Sequence, residues 1–427
     1  MNEPNSISTT AALEPHAPWR LLDRLGQRLF HSEMSRLTRG RLTISDGSEC
    51  RVFGSDVPEL NATVNVTDPR FYGAVAFGGT VGAAESYIRG YWSSNDLTRV
   101  VRLLLRNRDV LDGMERGAAS MSVPLRKFLH WINRNTRSGS RRNISAHYDL
   151  GNDFFALWLD STMMYSCAVF DRENMTLEQA SIAKLDRICQ KLDLTEKDRV
   201  LEIGTGWGGF AIHAASRYGC HVTTTTISKR QYEFAKARVE AAGLGDRVEC
   251  LLKDYRDLDG QYDKLVSIEM IEAVGHEYVD TYFNRCTELL KEDGLMLLQT
   301  ITIADQRYRA SLKSVDFIQK YIFPGGFLPS VTALLESVTR ATNMRIYHLE
   351  DIGPHYAETL RRWRNAFTHN MERIWALGYG ERFMRMWHYY FCYCEGAFAE
   401  RAIGNVQVLL VKPGSRRRPL TPSLGSL

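Results

Sequence analysis

The sequence predicts an α/β protein, with a doubly wound parallel sheet in its larger part and a smaller α+β domain before it. From about residue 196 onward, short apolar runs alternate with amphipathic helical stretches. That alternation is typical of βαβ units, in which helices cover both faces of a parallel sheet. The chain has 427 residues, 44% of them hydrophobic, which is enough to bury a sizeable core.

Six runs are predicted to be strands of the large sheet, and the intervening stretches are predicted to be helices. Residues 303–327 interrupt the alternation, which suggests a cap or an insertion over the sheet edge. Helices rich in Trp, Tyr and Met follow it. The predicted strands, in chain order, are "DRVLEIG", "CHVTTTTIS", "DRVECLLKD", "YDKLVSIEMI", "GLMLLQTITI" and "IGNVQVLLVKPG".

Composition shifts divide the chain into five predicted segments. The Ser-, Gly- and Arg-rich stretch "NRNTRSGSRRNIS" is typical of a linker and marks the main boundary. The segments are a disordered leader (1–19), an α+β domain (20–130), a basic linker (131–145), the large α/β domain (146–412) and a basic tail (413–427).

Charge and cysteine usage narrow the classes of function. The net charge is only +4, and no zinc finger, RNA-binding signature or repeat indicates a nucleic-acid partner. The eight cysteines include no CxxC pair, so neither a metal site nor a disulfide framework is predicted. Neither a signal peptide nor a membrane-spanning run is expected, so the predicted location is the cytoplasm.

The most informative motif is the turn "LEIGTGWGGF" at the end of the first strand of the large domain. Gly204 and Gly206 allow the backbone to turn tightly and approach a ligand, and Gly208 allows close packing of the next helix. The G-x-G-x-G spacing differs from dinucleotide and phosphate loops. With Glu202 available to an ammonium group, the turn favours S-adenosylmethionine (SAM); a purely structural turn is the alternative.

The second strand lacks the acidic residue that ordinarily binds ribose hydroxyls in folds of this kind. Its end carries Thr226, Ser228 and Gln231 instead. One interpretation is that threonines simply suit a strand. The other is that Gln231 serves the ribose.

Several further stretches, in this order, resemble the cyclopropane-fatty-acyl-phospholipid synthase family. The resemblance implies a Rossmann-like class I SAM methyltransferase sheet. It also implies that SAM donates a methyl group to the double bond of an acyl chain in a membrane phospholipid, and that loss of a proton then closes the ring. The stretches are "AHYDLGNDFFALWLDSTMMYSCAVF", "LEIGTGWGGF", "TTISKRQ", "KDYRDLDGQYDKLVSIEMIEAVG", "YIFPGGFLPS" and "YYFCYCEGAF".

The resemblance also implies roles for individual residues. Glu272 and Tyr356 match active-site positions, and Cys394 matches the cysteine assigned to catalysis in the family. We expect Cys394 to pack beside the site, because a buried Cys is usually a small hydrophobe; Cys167 is the stronger candidate for a direct contact. The implied SAM-binding residues are Tyr165, Ser166, Glu202, Gly204, Gly206, Gly208, Thr226, Ile227, Ser228, Gln231, Tyr255 and Arg256.

Gln299 departs from the family pattern. Bacterial members hold a bicarbonate ion as the base, through positions that match Cys167, Glu272, Ile301 and Tyr356 and through a His where this chain has Gln299. Gln can donate a hydrogen bond to an anion but cannot titrate. Ring closure could persist, or the enzyme could methylate the alkene without closing a ring.

Two other functions remain open, a methyltransferase for a small soluble substrate and an inactive lipid-binding module. For a phospholipid substrate we expect peripheral attachment to the inner face of the membrane. Basic residues would dock on anionic headgroups, with Arg137, Arg141 and Arg142 as the predicted face and the N-terminal domain as a further candidate for it. Family members often form homodimers.

Overall fold

The computed structural model describes residues 20–47, 49–55, 60–116, 150–418 and 420, and these divide into two compact units. The first unit contains the N-terminal residues together with Leu312–Pro324 and Leu360–Ala402. The second contains the remaining described residues. The predicted leader and linker lie outside the described residues, so these two segments remain predictions.

The first unit has a small sheet of four strands, ordered β2-β1-β3-β4. Strands β1 and β3 run parallel, and β2 and β4 pair antiparallel at the edges. The strands are β1 (Arg41–Asp46), β2 (Glu49–Gly54), β3 (Asn61–Val66) and β4 (Trp92–Ser94). Its helices before the linker are α1 (Leu21–Met34), α2 (Arg70–Ile88), α3 (Leu97–Arg106) and α4 (Arg108–Arg116).

The aromatic C-terminal helices group with this first unit, although the sequence placed them within a continuous domain over 146–412. The helix α15 (Glu381–Ala399) buries Trp387 and Phe391 and packs against α2 and α3. Arg385 of α15 donates to the carbonyl oxygens of Tyr87 (2.6 Å) and Trp92 (2.9 Å). The apolar face of α15 and the buried side chain of Arg385 thus attach this C-terminal helix to N-terminal elements. Local sequence does not reveal this pairing.

The second unit is built on a sheet of seven strands, ordered β10-β11-β9-β8-β5-β6-β7. The five strands from β9 to β7 run parallel, and β11 pairs antiparallel with both β9 and β10. The strands are β5 (Arg199–Ile203), β6 (His221–Thr226), β7 (Val248–Leu252), β8 (Tyr262–Ile268), β9 (Leu290–Ile303), β10 (Arg345–Asp351) and β11 (Ile403–Val411).

Helices cover this sheet, and the predicted α/β fold with a smaller α+β unit is confirmed. The first long helix begins with a reciprocal hydrogen-bonded cap between Thr176 and Gln179. The helices of the second unit are α5 (Asn152–Ala156), α6 (Leu177–Leu192), α7 (Gly209–Tyr218), α8 (Lys229–Ala241), α9 (Val279–Leu289), α10 (Asp305–Ser311), α12 (Val331–Ala341) and the start of α13 (Gly353–His369). The helices α11 (Phe317–Tyr321) and α14 (Met371–Ala376) and the rest of α13 belong to the first unit.

Three strands were missed at the sequence level, β2, β4 and β10. All three lie at sheet edges; β4 has only three residues, and the residues of β2 and of β10, "RIYHLED", are largely exposed or half-buried. Such strands lack the apolar run or strict alternation that identifies a buried strand. Within the described residues, every helix is too short or too polar to cross a bilayer.

Candidate active site

The glycine turn joins β5 to α7 with three left-handed backbone conformations. Gly204, Gly206 and Gly208 have φ values of +108°, +52° and +84°. The amides of Gly204 and Thr205 donate to the carbonyl of Thr225 (3.0 and 3.1 Å), which fastens the turn to β6. Residues that carry a side chain rarely adopt these backbone conformations, so the glycines bring bare backbone to the carboxyl edge of the sheet.

Glu202, on β5 just before the turn, is buried and accepts a hydrogen bond from the Thr224 hydroxyl (2.6 Å). Burial raises the pKa of Glu202 to about 8. Lys184 of α6 is also buried, and burial lowers its pKa to about 8. Its ammonium group donates to the Ser166 hydroxyl (2.9 Å). A buried cation therefore supports Ser166, one of the predicted SAM contacts.

The predicted ribose segment lies at the end of β6 and the start of α8. Ser228 caps α8 by accepting from the Gln231 amide (3.3 Å). The Thr226 hydroxyl donates to the side-chain oxygen of Gln231 (3.0 Å), and Ile227 lies between these residues in the turn. These bonds fix the orientation of the Gln231 side chain, which the sequence could not indicate.

The other predicted cofactor residues lie in two loops. Tyr165 stacks edge-on against Trp158, with ring centres 5.2 Å apart, in the loop before α6. Tyr255 begins a short 3-10 turn after β7, and its ring packs edge-on against Tyr282. Arg256 forms an ion pair with Asp254 (2.6 Å), so its charge is already paired within the turn.

A second cluster surrounds Glu269, the residue that follows β8. Its Oε1 accepts three hydrogen bonds, from the backbone amide of Cys167 (2.9 Å) and the side-chain amides of Gln299 (2.8 Å) and Asn405 (2.7 Å). Its Oε2 accepts from the Tyr356 hydroxyl (2.6 Å). Four donors thus converge on a single carboxylate from four different parts of the chain.

Glu272 lies one short turn further along and has a different environment. Its Oε1 accepts from the Ile301 amide (2.6 Å) and the Thr300 hydroxyl (2.8 Å), whereas its Oε2 is buried without a partner among the described residues. Burial, reinforced by the charge of Glu269, raises the pKa of Glu272 to about 8. At neutral pH Glu272 is therefore mostly protonated, whereas the four hydrogen-bond donors of the cluster are directed at Glu269.

The predicted catalytic cysteines differ in position. Cys167 is fully buried, and burial raises the pKa of its thiol well above the usual range. Its contribution to the cluster is the backbone N–H. Cys394 belongs to α15 of the first unit, whereas every member of the cluster belongs to the second. Burial raises the pKa of the Cys394 thiol as well, so neither thiol has the character of a nucleophile.

Sequence reasoning missed Glu269, Asn405 and Lys184. Glu269 has a signal of its own, since it stands three residues before Glu272 in "EMIEAVG", near the carboxyl end of a predicted strand. Acidic residues at the carboxyl ends of parallel strands are candidates for site residues. Asn405 and Lys184 carry no comparable signal, because a strand and a helix distant in sequence bring them in.

Comparison with known proteins identifies the family. The family model described as mycolic acid cyclopropane synthetase matches residues 135–408. The chain belongs to this family. It is a SAM-dependent methyltransferase that modifies lipids, so the predictions of the family, of SAM and of the enzyme class are confirmed.

Two curated family members cover most of the chain. The tuberculostearic acid methyltransferase UfaA1 of Mycobacterium tuberculosis is 41% identical over 79% of this chain and 80% of its own. The cyclopropane-fatty-acyl-phospholipid synthase of Escherichia coli K12 is 39% identical over 82% of this chain and 87% of its own. Among solved structures, the mycolic acid cyclopropane synthase CmaA1, complexed with SAH and CTAB, is 34% identical over 64% of this chain and 98% of its own, with a TM-score of 0.60.

The residues of the glycine turn fit SAM. Bare backbone at Gly206 leaves space at the strand edge, since a Cβ added there would meet nothing within 4 Å, whereas one added to Gly204 would lie 3.1 Å from Met270. When bound, SAM supplies an electrophilic methyl group. The turn, Ser166 and the Gln231 segment are the parts of the chain predicted to orient it, and carboxyl groups lie nearby on the same edge of the sheet.

Proposed function

We propose that this protein transfers the methyl group of SAM to a double-bond carbon of an unsaturated acyl chain in a membrane phospholipid, and that ring closure to a cyclopropane follows. The supporting observation is the pair Glu269 and Glu272, two carboxyl groups in different surroundings: four donors converge on Glu269, whereas burial raises the pKa of Glu272 to about 8. Both lie at the strand edge that carries the glycine turn.

The chemistry explains why such a pair is suitable. An alkene has no proton to remove before methylation, so catalysis begins with positioning in a dry site. Methylation leaves a positive charge on carbon, and a proton must then leave. An ionised carboxylate stabilises that charge and accepts the proton, while a protonated neighbour adds no competing negative charge.

Methylation of the alkene without ring closure is the second candidate. The relatives support both, since one is named as a methyltransferase and another as a cyclopropane synthase. Gln299 lies buried beside Glu269 and cannot accept a proton. Which proton leaves after methylation, and therefore which product forms, would depend on Glu269.

One face of α1 supports membrane attachment. Leu21, Leu25 and Leu29 form a stripe at four-residue spacing and are 85%, 47% and 40% exposed. Arg24 and Arg28 flank the stripe and are also exposed. Apolar side chains beside arginines suit an anionic bilayer surface, where the leucines enter the acyl boundary and the arginines contact headgroups. Arg137, Arg141 and Arg142 lie outside the described residues, so the basic face predicted there remains a prediction.

The decisive test of the reaction uses purified protein, SAM and vesicles of a monounsaturated phospholipid. Mass spectrometry will show the addition of one CH2 to the acyl chain, and proton NMR distinguishes the products. We expect upfield ring protons and loss of the vinyl signal. Retained vinyl protons with a new methyl or methylene group would establish the second candidate. No lipid product, with SAM still bound, would contradict both.

The test of the docking face replaces Leu25 and Leu29 with Asp. Binding to phosphatidylglycerol vesicles is expected to fall by about 10-fold or more, because two leucines that would enter the bilayer are lost and two charges of the same sign as the lipid replace them. The control carries Trp375→Asp and Leu377→Asp, which change two exposed apolar residues, one on α14 and one at its C-cap. Equal vesicle binding by the two double variants would contradict the assignment. It would also be contradicted if the protein formed a dimer that dissociated only in the α1 variant, because the leucines would then belong to a subunit interface.

A further inference from the structure

We propose that Glu269 is the built-in base of this enzyme, the group that takes the proton after methylation, and that it occupies an anion cradle that would otherwise need an ion from solution. The inference rests on the proposed function for its chemical role. Its structural half, the filled cradle, stands independently of any substrate.

The anion cradle consists of the four groups that bind the Glu269 carboxylate, from Cys167, Gln299, Tyr356 and Asn405, and all four are hydrogen-bond donors. An N–H, two side-chain amides and a hydroxyl lie 2.6–2.9 Å from the two carboxylate oxygens. A carboxylate accepts at both oxygens and donates nothing when ionised. Several donors directed at one group favour its charged form, so the surroundings select an anion at this position.

A chain of amides fixes the direction of one of these bonds. The Lys191 ammonium group can only donate, and it donates to Oε1 of Gln407 (2.7 Å). The Gln407 amide nitrogen must then face Oε1 of Gln299 (3.0 Å), which turns the Gln299 amide nitrogen toward Glu269 (2.8 Å). A buried cation thus orients the amide that binds the carboxylate.

Backbone strain supports a specific role for this carboxylate. Glu269 has φ +49°, which is uncommon for a residue other than glycine, and its amide donates to the carbonyl of Gln299 (2.8 Å). Such conformations are strained for residues other than glycine, and they cluster at functional sites. The fold therefore keeps an unfavourable backbone conformation at Glu269, the residue whose carboxylate lies among the four donors.

The residues do not fit a bound bicarbonate ion. Of the positions that the family resemblance assigns to that ion, Cys167, Gln299 and Tyr356 already donate to Glu269. Ile301 donates to Glu272 instead (2.6 Å). A second anion would have to displace Glu269 from its donors and would lie against its charge, which is unfavourable at close range.

The proton step balances with Glu269 alone. Methylation joins the new carbon to one alkene carbon and leaves the positive charge on the other. Glu269 then takes a proton from the added methyl group, and the electron pair of that C–H bond forms the third bond of the ring. The carboxylic acid formed on Glu269 loses its proton to water after product release.

The first experiment measures turnover with and without bicarbonate, in buffers freed of carbon dioxide. We expect the wild-type rate to be independent of bicarbonate. Glu269→Gln should lower kcat by about 100-fold or more while SAM affinity stays within about twofold, since the amide keeps the size but not the basicity. The control Glu292→Gln, at an exposed position outside the site, should match wild type. A bicarbonate requirement in wild type, or normal turnover by Glu269→Gln, would overturn the inference.

The second experiment needs no turnover and therefore separates this inference from the proposed function. Binding of 13C-labelled bicarbonate is followed by NMR in wild type and in Glu269→Gly, a change that suits φ +49° and empties the cradle. We expect binding by the glycine variant only, and partial recovery of turnover when bicarbonate or formate is added. Equal binding by wild type would show that the cradle is not filled. A wild type without lipid product that still excludes bicarbonate would refute the proposed reaction but support the filled cradle.

Discussion

The glycine turn and the Glu269 cluster lie at the same sheet edge, yet they are built in opposite ways. The turn is one continuous stretch, and its conformation follows from three glycines at positive φ. The cluster takes its groups from Cys167, Glu269, Gln299, Tyr356 and Asn405, which span more than half of the chain. The comparison teaches that a site made of backbone is encoded locally, whereas a site made of converging side chains depends on the whole fold.

The strongest test of this contrast changes the turn alone. Gly206→Val places a branched side chain at φ +52° in open space, so the backbone must strain or move. We expect the Kd for SAM to rise by about 30-fold, which corresponds to roughly 2 kcal/mol of strain. Calorimetric titration with SAM measures this change.

Gly243→Val is the matched control for that variant. Gly243 also has positive φ (+68°) and open space around it, but it lies after α8, away from the turn. It should lose similar stability and keep its affinity for SAM. An equal loss of SAM affinity in both variants would show that general destabilisation, and not the turn, is responsible.

The next test changes the cluster alone. Tyr356→Phe removes the donor to Oε2 of Glu269 and keeps the ring. A hydrogen bond to a charged group is worth about 1.5–3 kcal/mol, so kcat should fall by about 10-fold or more with the Kd for SAM nearly unchanged. Tyr347→Phe, which removes a hydroxyl bonded to the carbonyl of Arg417 (2.7 Å), should retain full turnover. Weakened SAM binding in Tyr356→Phe would mean that the two regions are not separable.

The smallest expected effect is on stability as a function of pH. The pKa of Glu272 is raised to about 8 in the folded chain, so folding favours its protonated form. Its contribution to stability is full below the unfolded pKa of about 4.5 and is lost as pH rises toward 8. Glu272→Gln should therefore lose less thermal stability between pH 5 and pH 8 than wild type, by about 2 °C or more. Parallel Tm curves for the two proteins would contradict the raised pKa.

Prediction from the sequence succeeded where the pattern is local. The strands of the parallel sheet and the glycine turn follow from short stretches with a clear period or a special residue. The roles predicted for Glu272, Tyr356 and Gln299 remain predictions, but the structure places all three residues around one carboxylate or beside it.

What the sequence could not supply is the convergence of distant residues. Asn405 reaches Glu269 because β11 inserts antiparallel beside β9, and Lys191 reaches Gln407 because α6 packs over the same strands. Likewise, α15 groups with the first unit through buried aromatic contacts. Each of these pairings depends on tertiary packing that residue spacing along the chain does not encode.

The left-handed backbone at Glu269 also bears on how such an enzyme could evolve. Glycine adopts this conformation freely, and a glutamate codon becomes a glycine codon by one base change. A single mutation would therefore relieve the local strain, remove the carboxylate and leave a ring of donors open to a small anion from solution. An enzyme that carries its own base and an enzyme that depends on dissolved bicarbonate would then differ by a single nucleotide.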